Sequence, residues 1–405
     1  MVNLLQPEFQ PVRKSTWRIL AAALIIAAGA CYVVGIESVE FTNAKATKRD
    51  FIEYWAIGQQ LVHHANPYDL PAIVQLEKNA GLGKHQPRIS FSPPTAFVLM
   101  LPLGLTSPKT GLIAWSLILI GCLSVAIWLL WRLNGRPASR IHLFGYLFAP
   151  AIACMMSGQL SIFLLLGVVV FLSFHRSHPL MAGAALLPCA LKPHLFLVVA
   201  CVLLVWSVYR RNFRVLFGFM TALLASCAVT LIFDVHVWRQ YFAMMSELGV
   251  LQMFIPTFGD ALRFLIDRNA TVLQFVPLML GTGWGLWYFW TRRDRWSWTS
   301  EGLLLLLVSD ACAPYGAFTD ECILLPLVLV GLYRAAESKR SSIPLMLANG
   351  AALIELFAHV NIISPYYLWS VPAWLAWYFY AGRKVERRSK YPVSQTESQI
   401  GPIHD

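Results

Sequence analysis

The sequence predicts an all-α polytopic membrane protein with about 12 transmembrane helices. Hydrophobic residues make up 57% of the 405 residues, charged residues make up only 13%, and the mean hydropathy is +0.58. That composition is too apolar for a soluble domain. Apolar stretches long enough to cross a bilayer recur along the chain, and Lys and Arg cluster between them, as is typical of proteins that cross the membrane many times.

The predicted crossings follow the apolar stretches in order. The first, 17–36, has no charge after Arg18 and is about as long as the ~20 residues that a crossing needs. Its Ala-rich end resembles a signal peptide, but many spans follow, so we interpret it as a retained helix. The other crossings are predicted at 110–131, 141–156, 158–174, 180–191, 193–208, 214–234, 270–290, 301–317, 321–334, 343–362 and 366–381.

The basic residues predict the orientation. The net charge is +11, but Lys and Arg collect at span ends, which indicates membrane orientation and not a nucleic-acid partner. The positive-inside rule places these clusters and both termini in the cytoplasm, provided that the proline-broken stretch 91–105 dips into the interface and returns. In the alternative topology, 91–105 crosses and 180–208 forms one helix, which leaves the Arg132–Arg140 cluster outside. We prefer the first topology.

A single transmembrane domain is expected over 1–382, with a basic, disordered cytoplasmic tail at 383–405. The first outer loop, 37–109, contains a predicted interfacial helix at 51–64 that carries Tyr54 and Trp55 at headgroup level. The loop 235–269 contains a similar candidate at Val237–Leu248. None of the eight Cys has CxxC spacing, so free thiols are expected.

Asp50 is the first candidate for chemistry, because it opens this interfacial helix directly after Lys48 and Arg49. The two cations favour an ionised carboxylate and also attract a lipid phosphate. A carboxylate at a helix start also caps free N–H groups, so a structural role competes with that of a general base. The motif Asn66-Pro67-Tyr68-Asp69 is a turn signature, and we expect it to be structural.

Two further polar groups interrupt the apolar stretches. Gln159, in Ser157-Gly158-Gln159, lies at the outer end of two spans, where it contacts either a backbone carbonyl or a sugar hydroxyl. Lys192 and His194 flank Pro193 between two short spans. An unpaired Lys is costly there, which favours a contact with a phosphate leaving group, although snorkelling to the headgroups is the alternative.

Acidic residues near the C-terminal spans complete the candidates. Asp310, Asp320 and Glu321 surround Pro314-Tyr315, and Glu355 precedes His359 by one predicted helical turn. The latter two form either a proton relay or a structural pair. The sequence contains no GxxxxGK[ST], HExxH or GxSxG motif, so nucleotide hydrolysis is not expected. No compact carboxylate cluster for a divalent metal is evident, so we expect no metal and no cofactor.

Six short motifs follow one another along the chain: Asp50-Phe51-x-x-Tyr54-Trp55, Asn66-Pro67-Tyr68-Asp69, Ser92-Pro93-Pro94, Ser157-Gly158-Gln159, Leu191-Lys192-Pro193, and Pro314-Tyr315 with Asp320. Their order resembles the family 87 glycosyltransferases over about residues 15 to 380. These are bacterial enzymes of the GT-C type, related to mannosyltransferases that use polyprenyl-phosphate mannose. The resemblance implies a GT-C fold with juxtamembrane helices in the first outer loop, and a catalytic Asp at Asp50.

The resemblance therefore implies an inverting glycosyltransferase in the bacterial inner membrane. It would move a sugar, with mannose favoured, from a polyprenyl-phosphate donor to a lipid or glycan acceptor on the outer face, surrounded by membrane lipids. Family members often carry a His shortly before the acid that matches Asp320. This chain has Gly316, Ala317 and Phe318 there, so a His-assisted relay would need His359 or His194.

The predicted site groups these residues by role. Asp50 is the general base; Lys192, Arg49 and His194 contact the donor phosphate; Gln159, Asp320, Tyr54 and Trp55 contact the sugar or acceptor; and His359 with Glu355 is a possible relay. The rival hypothesis is a secondary transporter or lipid flippase that uses Glu355, His359 and Lys192 as coupling groups. Transporters usually have related halves, and the two halves of this chain do not match.

Overall fold

The computed structural model describes residues 50–81, 90–248 and 255–382, and across these ranges the chain is helical without a β-strand. The all-α prediction is therefore confirmed for the described part. The predicted crossing 17–36, Arg49 and the tail 383–405 lie outside it.

The helices follow in chain order. They are α1 Phe51–Val62, α2 Leu70–Asn79, α3 Phe97–Met100, α4 Pro108–Leu133, α5 Ala149–Ser157, α6 Ser161–Phe174, α7 Pro179–Ala184, α8 Pro193–Tyr209, α9 Arg214–Phe233, α10 Val237–Leu248, α11 Phe258–Ile266, α12 Val276–Arg292, α13 Glu301–Ala311, α14 Leu325–Glu337, α15 Ile343–Phe357 and α16 Ser370–Gly382. Short 3₁₀ segments adjoin them at Pro94–Ala96, Leu101–Leu105, Ile141–Leu147, Leu187–Leu191, Thr271–Phe275, Arg293–Arg295, Phe318–Leu324 and Pro365–Trp369.

Each crossing predicted within the described ranges overlaps one of these helices or a helix and its adjoining 3₁₀ segment, although 301–317 and 343–362 extend past the ends of α13 and α15. By length and apolar composition, two of the described helices, α4 and α9, are sufficient on their own to cross a bilayer. The other apolar helices are shorter, as α6, α8 and α15 illustrate. The count of twelve crossings therefore stays a prediction.

The segment Pro94–Leu105 packs directly on α1. A Cβ placed on Gly104 would lie 2.1 Å from the backbone oxygen of Gly58, so the two backbones approach at a distance that only glycine permits. Gln59 Nε2 donates to the carbonyl oxygen of Gly104 at 2.7 Å. This segment is shorter than the ~20 residues of a full crossing, and whether it returns to the same face stays a prediction.

Two helices, α4 and α8, contact the turn at Gly158 and Gln159 near their N-terminal ends and have basic residues at their C-terminal ends. Near the start of α4, the Trp115 indole donates to the carbonyl oxygen of Gly158, and Lys192 at the start of α8 contacts the next residue, Gln159. At its other end, α8 brings the Arg210 guanidinium to the carbonyl oxygen of Arg293 at 3.2 Å. α4 extends about 39 Å from its start and carries Arg132 in its last turn.

Candidate functional site

A glycine turn between α5 and α6 anchors the start of α1. Gly158 has φ +75°, a left-handed conformation that glycine adopts without strain and that ends α5. The backbone N–H of Asp50 donates to the carbonyl oxygen of Ser157 at 2.9 Å. A Cβ on Gly158 would lie 3.0 Å from Phe51 Cβ, so a larger residue would push α1 away. The turn therefore positions Asp50 through its backbone.

The side chain of Asp50 is held by the same turn. Gln159 Nε2 donates to Asp50 Oδ2 at 2.6 Å. Although Asp50 is the first residue before α1, its carboxylate makes no capping hydrogen bond to that helix. Of the two roles that the sequence left open, the carboxylate therefore does not serve as the helix cap. It points instead to the polar residues that follow α5.

The other atom of the Gln159 amide faces a cation and a phenol. Its Oε1 accepts hydrogen bonds from Tyr54 at 3.2 Å and from Lys192 Nζ at 3.4 Å. An amide donates from nitrogen and accepts at oxygen, so its orientation follows from these neighbours. Gln159 thus connects the Asp50 carboxylate to the Lys192 ammonium.

Lys192 is itself paired with a carboxylate. Its Nζ lies 2.5 Å from Asp320 Oδ1, and the two side chains are 19% and 4% exposed. Ser161 donates to the same Asp320 oxygen at 2.5 Å, and the Ala317 N–H donates to Asp320 Oδ2 at 2.9 Å. Lys192 lies between a 3₁₀ segment and α8, and Asp320 lies in the 3₁₀ segment Phe318–Leu324. Burial disfavours both charges, but their mutual attraction outweighs it, lowering the pKa of Asp320 and raising that of Lys192.

We refer to these residues together as the polar network: Asp50, Tyr54, Gln159, Ser161, Lys192 and Asp320. They come from four separate stretches of the chain, and hydrogen bonds join all of them. The network holds a carboxylate capable of accepting a proton and a cation capable of stabilising an anion, linked by one amide.

Two residues predicted to contact the sugar or acceptor make hydrogen bonds within the protein. The Trp55 indole donates to the carbonyl oxygen of Thr106 at 2.9 Å and the residue is only 6% exposed, because it packs α1 against the segment before α4. Asp320 has both oxygens occupied by protein donors. Within the protein, Trp55 thus has a packing role and Asp320 is the counterion of Lys192, and contacts of either residue with a sugar stay predictions.

The predicted relay between Glu355 and His359 is not formed. Helix α15 ends at Phe357, and His359 follows it with φ +58°, exposed at the surface. Glu355 Oε1 instead accepts a hydrogen bond from the Trp369 indole at 3.1 Å. The prediction assumed that helical periodicity continued through His359, and the end of α15 removes that alignment.

His194 lies close to the network but does not join it by a hydrogen bond. Its ring lies against Tyr315 with the centroids 3.8 Å apart, and its Nδ1 is buried without a partner among the described residues. Arg49, the other predicted phosphate contact, is outside the described residues.

Ser161 is a network member that sequence reasoning missed. It is fully buried and bridges Lys192 and Asp320. Its only signal was its place two residues after Gln159 at the start of α6, and a lone Ser there usually serves the local backbone.

Within 50–81, 90–248 and 255–382, no group of three or more His, Cys, Asp or Glu side chains is arranged to hold a metal ion.

Comparison with protein families gives one match. The model described as glycosyltransferase family 87 matches residues 92–310, which is more than half of the chain and includes Gln159, Ser161 and Lys192. Comparison with curated proteins and with solved structures found no match.

Proposed function

The chain belongs to glycosyltransferase family 87, and we propose that it transfers a sugar from a polyprenyl-phosphate donor to a lipid or glycan acceptor. The observation that carries this proposal is the hydrogen-bonded connection from Asp50 through Gln159 to Lys192, which links a base to a cation. Family membership makes the protein a glycosyltransferase. The apolar composition and helices, together with the family, indicate a membrane protein. The donor class, mannose as the sugar, and the roles below are our proposal.

Asp50 acts as the general base. The acceptor hydroxyl attacks the anomeric carbon and gives its proton to the Asp50 carboxylate as the new C–O bond forms. The bond from the anomeric carbon to the phosphate oxygen breaks on the opposite side, so the configuration inverts. Gln159 supports this role because its 2.6 Å hydrogen bond fixes the orientation of the carboxylate.

Lys192 stabilises the leaving polyprenyl phosphate, which departs with the electron pair of the broken bond. Its hydrogen bonds to Gln159 at 3.4 Å and to Ser161 at 3.3 Å are long, and a phosphate oxygen readily replaces either of them. The 2.5 Å contact with Asp320 keeps the ammonium charged and in place during this exchange. His194, two residues along the chain, and Arg49 are proposed as further contacts to the same phosphate.

The reaction takes place on the outer face of the bacterial inner membrane, with both termini cytoplasmic. The positive-inside rule supports this orientation, because Arg132 and Arg210 lie at the C-terminal ends of α4 and α8, whose N-terminal parts contact the turn at Gly158 and Gln159. A polyprenyl-phosphate donor is amphipathic, so its phosphate lies at the level of the lipid headgroups. In the proposed orientation the polar network lies at the same level and can contact that phosphate. We expect that the reaction needs no metal ion, because side-chain cations neutralise a monophosphate leaving group.

A donor panel tests the proposed chemistry. The full chain in lipid nanodiscs is incubated with octyl α-mannoside and, in separate reactions, with farnesyl-phosphate mannose or GDP-mannose. We expect product from the lipid-phosphate donor alone, and NMR of the new linkage should give the anomer opposite to that of the donor. The same reactions with a chelator should run at an unchanged rate.

Transfer directly from GDP-mannose, or retention of the anomeric configuration, would contradict the proposed mechanism. If the panel yields no product with either donor, mass spectrometry of envelope glycolipids from a deletion strain identifies the missing sugar and its acceptor. If the deletion strain kept all of its glycolipids, the result would count against a role in glycolipid synthesis.

A further inference from the structure

A cluster of arginines lies where the end of α8 meets the end of α12. We call it the arginine patch, and it consists of Arg210, Arg211, Arg214, Arg292, Arg293 and Arg295. The two stretches touch, because Arg210 Nη2 donates to the carbonyl oxygens of Arg293 at 3.2 Å and of Asp294 at 3.3 Å. Five of the six side chains are exposed, and that of Arg293 is half-buried. The patch therefore concentrates positive charge at the surface of the protein.

Neutral groups hold the two central arginines in place. The Arg293 guanidinium lies 4.7 Å from the ring centroid of Trp290, and its Nη1 donates to the carbonyl oxygen of the same residue at 2.9 Å. The guanidinium groups of Arg210 and Arg293 lie 5.8 Å and 5.9 Å from the ring centroid of Tyr209. Aromatic rings and carbonyl oxygens fix the position of a guanidinium without removing its charge. The two cations are thus oriented and still charged.

No carboxylate forms an ion pair with these two arginines in the described part of the chain. Asp294 lies inside the patch, but its Oδ1 accepts a hydrogen bond from the Tyr209 hydroxyl at 2.6 Å. Neither Arg210 nor Arg293 is ion-paired with another described residue. Each guanidinium has five N–H donors and uses only one of its terminal nitrogens within the described ranges. Like charges held close together repel, and a bound anion removes that cost.

Exposed apolar side chains border the patch along both helices. On α8, Leu204 and Val208 are 53% and 56% exposed, and on α12, Trp287 and Trp290 are 60% and 56% exposed. In a membrane protein, apolar side chains of this kind contact the acyl chains, and arginines at the ends of the same helices lie at the level of the headgroups. The anion that suits this surface therefore carries a hydrophobic tail. A nucleic acid would match the charge but not the apolar border.

We propose that the arginine patch binds the phosphate of an anionic phospholipid from the surrounding membrane, in the leaflet that this end of the chain meets. Arg210 and Arg293 donate to the phosphate oxygens, because a planar guanidinium pairs with phosphate through two N–H groups. The acyl chains lie along the apolar residues of α8 and α12. An anionic lipid binds more tightly than a zwitterionic one, because a zwitterionic headgroup carries its own cation beside the phosphate. The inference does not depend on sugar transfer and involves neither Asp50 nor Lys192.

Native mass spectrometry of the full chain in detergent tests the proposal. The chain is titrated with palmitoyl-oleoyl phosphatidylglycerol or palmitoyl-oleoyl phosphatidylcholine, which have the same acyl chains. For the first lipid bound, we expect a Kd at least about tenfold lower for phosphatidylglycerol. The double variant Arg210→Gln with Arg293→Gln should raise that Kd about 10- to 30-fold, because each arginine near an anionic lipid contributes about fivefold. Its Kd for phosphatidylcholine should change by less than about threefold.

Two further double variants serve as matched controls. Arg136→Gln with Arg140→Gln removes the same charge from the stretch after α4. Both of these side chains are exposed, and neither guanidinium contacts a ring or makes a hydrogen bond within the described residues. This variant should keep the Kd for phosphatidylglycerol within about threefold of wild type. Arg210→Lys with Arg293→Lys keeps the charge of the patch, and it should retain most of the affinity that the Gln variant loses.

Each result either supports or overturns the proposal. Equal Kd values for the two lipids in the wild-type chain would overturn it, as would a Gln variant of the patch that keeps the wild-type Kd. An equal loss in the Arg136 and Arg140 variant would assign binding to net charge alone, and an equal loss in the Lys variant would assign it to disturbed packing. Both outcomes contradict a phosphate site.

Farnesyl phosphate distinguishes a phospholipid from a polyprenyl phosphate as the occupant. A lower Kd for farnesyl phosphate than for phosphatidylglycerol, raised by the Gln variant of the patch, would assign the patch to polyprenyl phosphates and would also overturn the proposal. None of these measurements follows sugar transfer, so the proposed function succeeds or fails separately.

Discussion

Gln159 Nε2 donates to Asp50 Oδ2 at 2.6 Å, although the two residues are 109 positions apart in the chain. Gly158, the residue before Gln159, also permits the close packing of Phe51, the residue after Asp50. The same short turn therefore fixes both the backbone and the side chain at Asp50. A carboxylate oriented in this way needs little rearrangement to receive a proton from a bound hydroxyl.

Substitution of Gln159 by Leu should separate the base from the cation. The variant keeps the side-chain volume but removes the hydrogen bonds to Asp50, Tyr54 and Lys192. We expect kcat to fall about 10- to 100-fold because a misplaced catalytic group costs about that much. Steady-state transfer kinetics measure the effect. Gln75→Leu, on the exposed face of α2, serves as the control, and an equal loss in both variants would contradict the assigned role.

For the ion pair of Lys192 and Asp320, we predict that substituting the second partner restores stability but not activity. Lys192→Met leaves the Asp320 carboxylate buried without its counterion, so the free energy of unfolding should fall by about 3 kcal/mol. The double variant Lys192→Met with Asp320→Asn should regain most of that stability, as measured by thermal unfolding. It should remain inactive because no cation stabilises the leaving phosphate. A double variant with near wild-type turnover would show that Lys192 is only structural.

The contact between Gly58 and Gly104 predicts a position-dependent effect of a single methyl group. Gly104→Ala places a Cβ 2.1 Å from the backbone oxygen of Gly58, so α1 must move and the unfolding temperature should drop. Gly121→Ala, on an open face of α4, has no atom within 4 Å of the new Cβ. It should be neutral or stabilising by up to about 1 kcal/mol, since Ala favours helix over Gly. Equal unfolding temperatures for the two variants would contradict the packing described.

His359 is expected to be dispensable for turnover. It lies exposed beyond the end of α15 and makes no hydrogen bond to Glu355 in the described part of the chain. His359→Ala should therefore keep kcat and KM within about twofold of wild type, because surface substitutions of this kind rarely disturb a distant site. A tenfold loss of kcat would contradict this expectation and would indicate that His359 takes part in a proton relay during turnover.

Local patterns predicted much of the helical framework. Val237–Leu248 was expected as a helix with those same bounds, and α4 differs from its predicted span by two residues at each end. Asn66 and Asp69 were expected to be structural, and they accept hydrogen bonds from the N–H groups of Tyr68 and Ala72. Apolar runs and turn residues act over a few positions, which is why these features are visible in the sequence.

The network itself depended on contacts that no local pattern contains. Lys192 was a conspicuous cation between apolar stretches, but its pairing with Asp320 joins positions 128 residues apart. Ser161 was overlooked because a single hydroxyl at a helix start has an ordinary local explanation. The relay between Glu355 and His359 was predicted from local spacing, but α15 ends before His359 and removes the alignment that the relay needs. Tertiary packing against the segment before α4 likewise decided the surroundings of Trp55.

The most direct test of the account is the rate of sugar transfer by Asp50→Asn, measured beside Asp69→Asn. Asn at position 50 retains an oxygen for Gln159 and so should preserve the fold, while Asn at position 69 still caps α2. We predict that Asp50→Asn lowers kcat by about 10²- to 10⁴-fold, as expected for loss of a general base, and that Asp69→Asn does not. Wild-type turnover by a folded Asp50→Asn variant would contradict the assignment of Asp50 as the base.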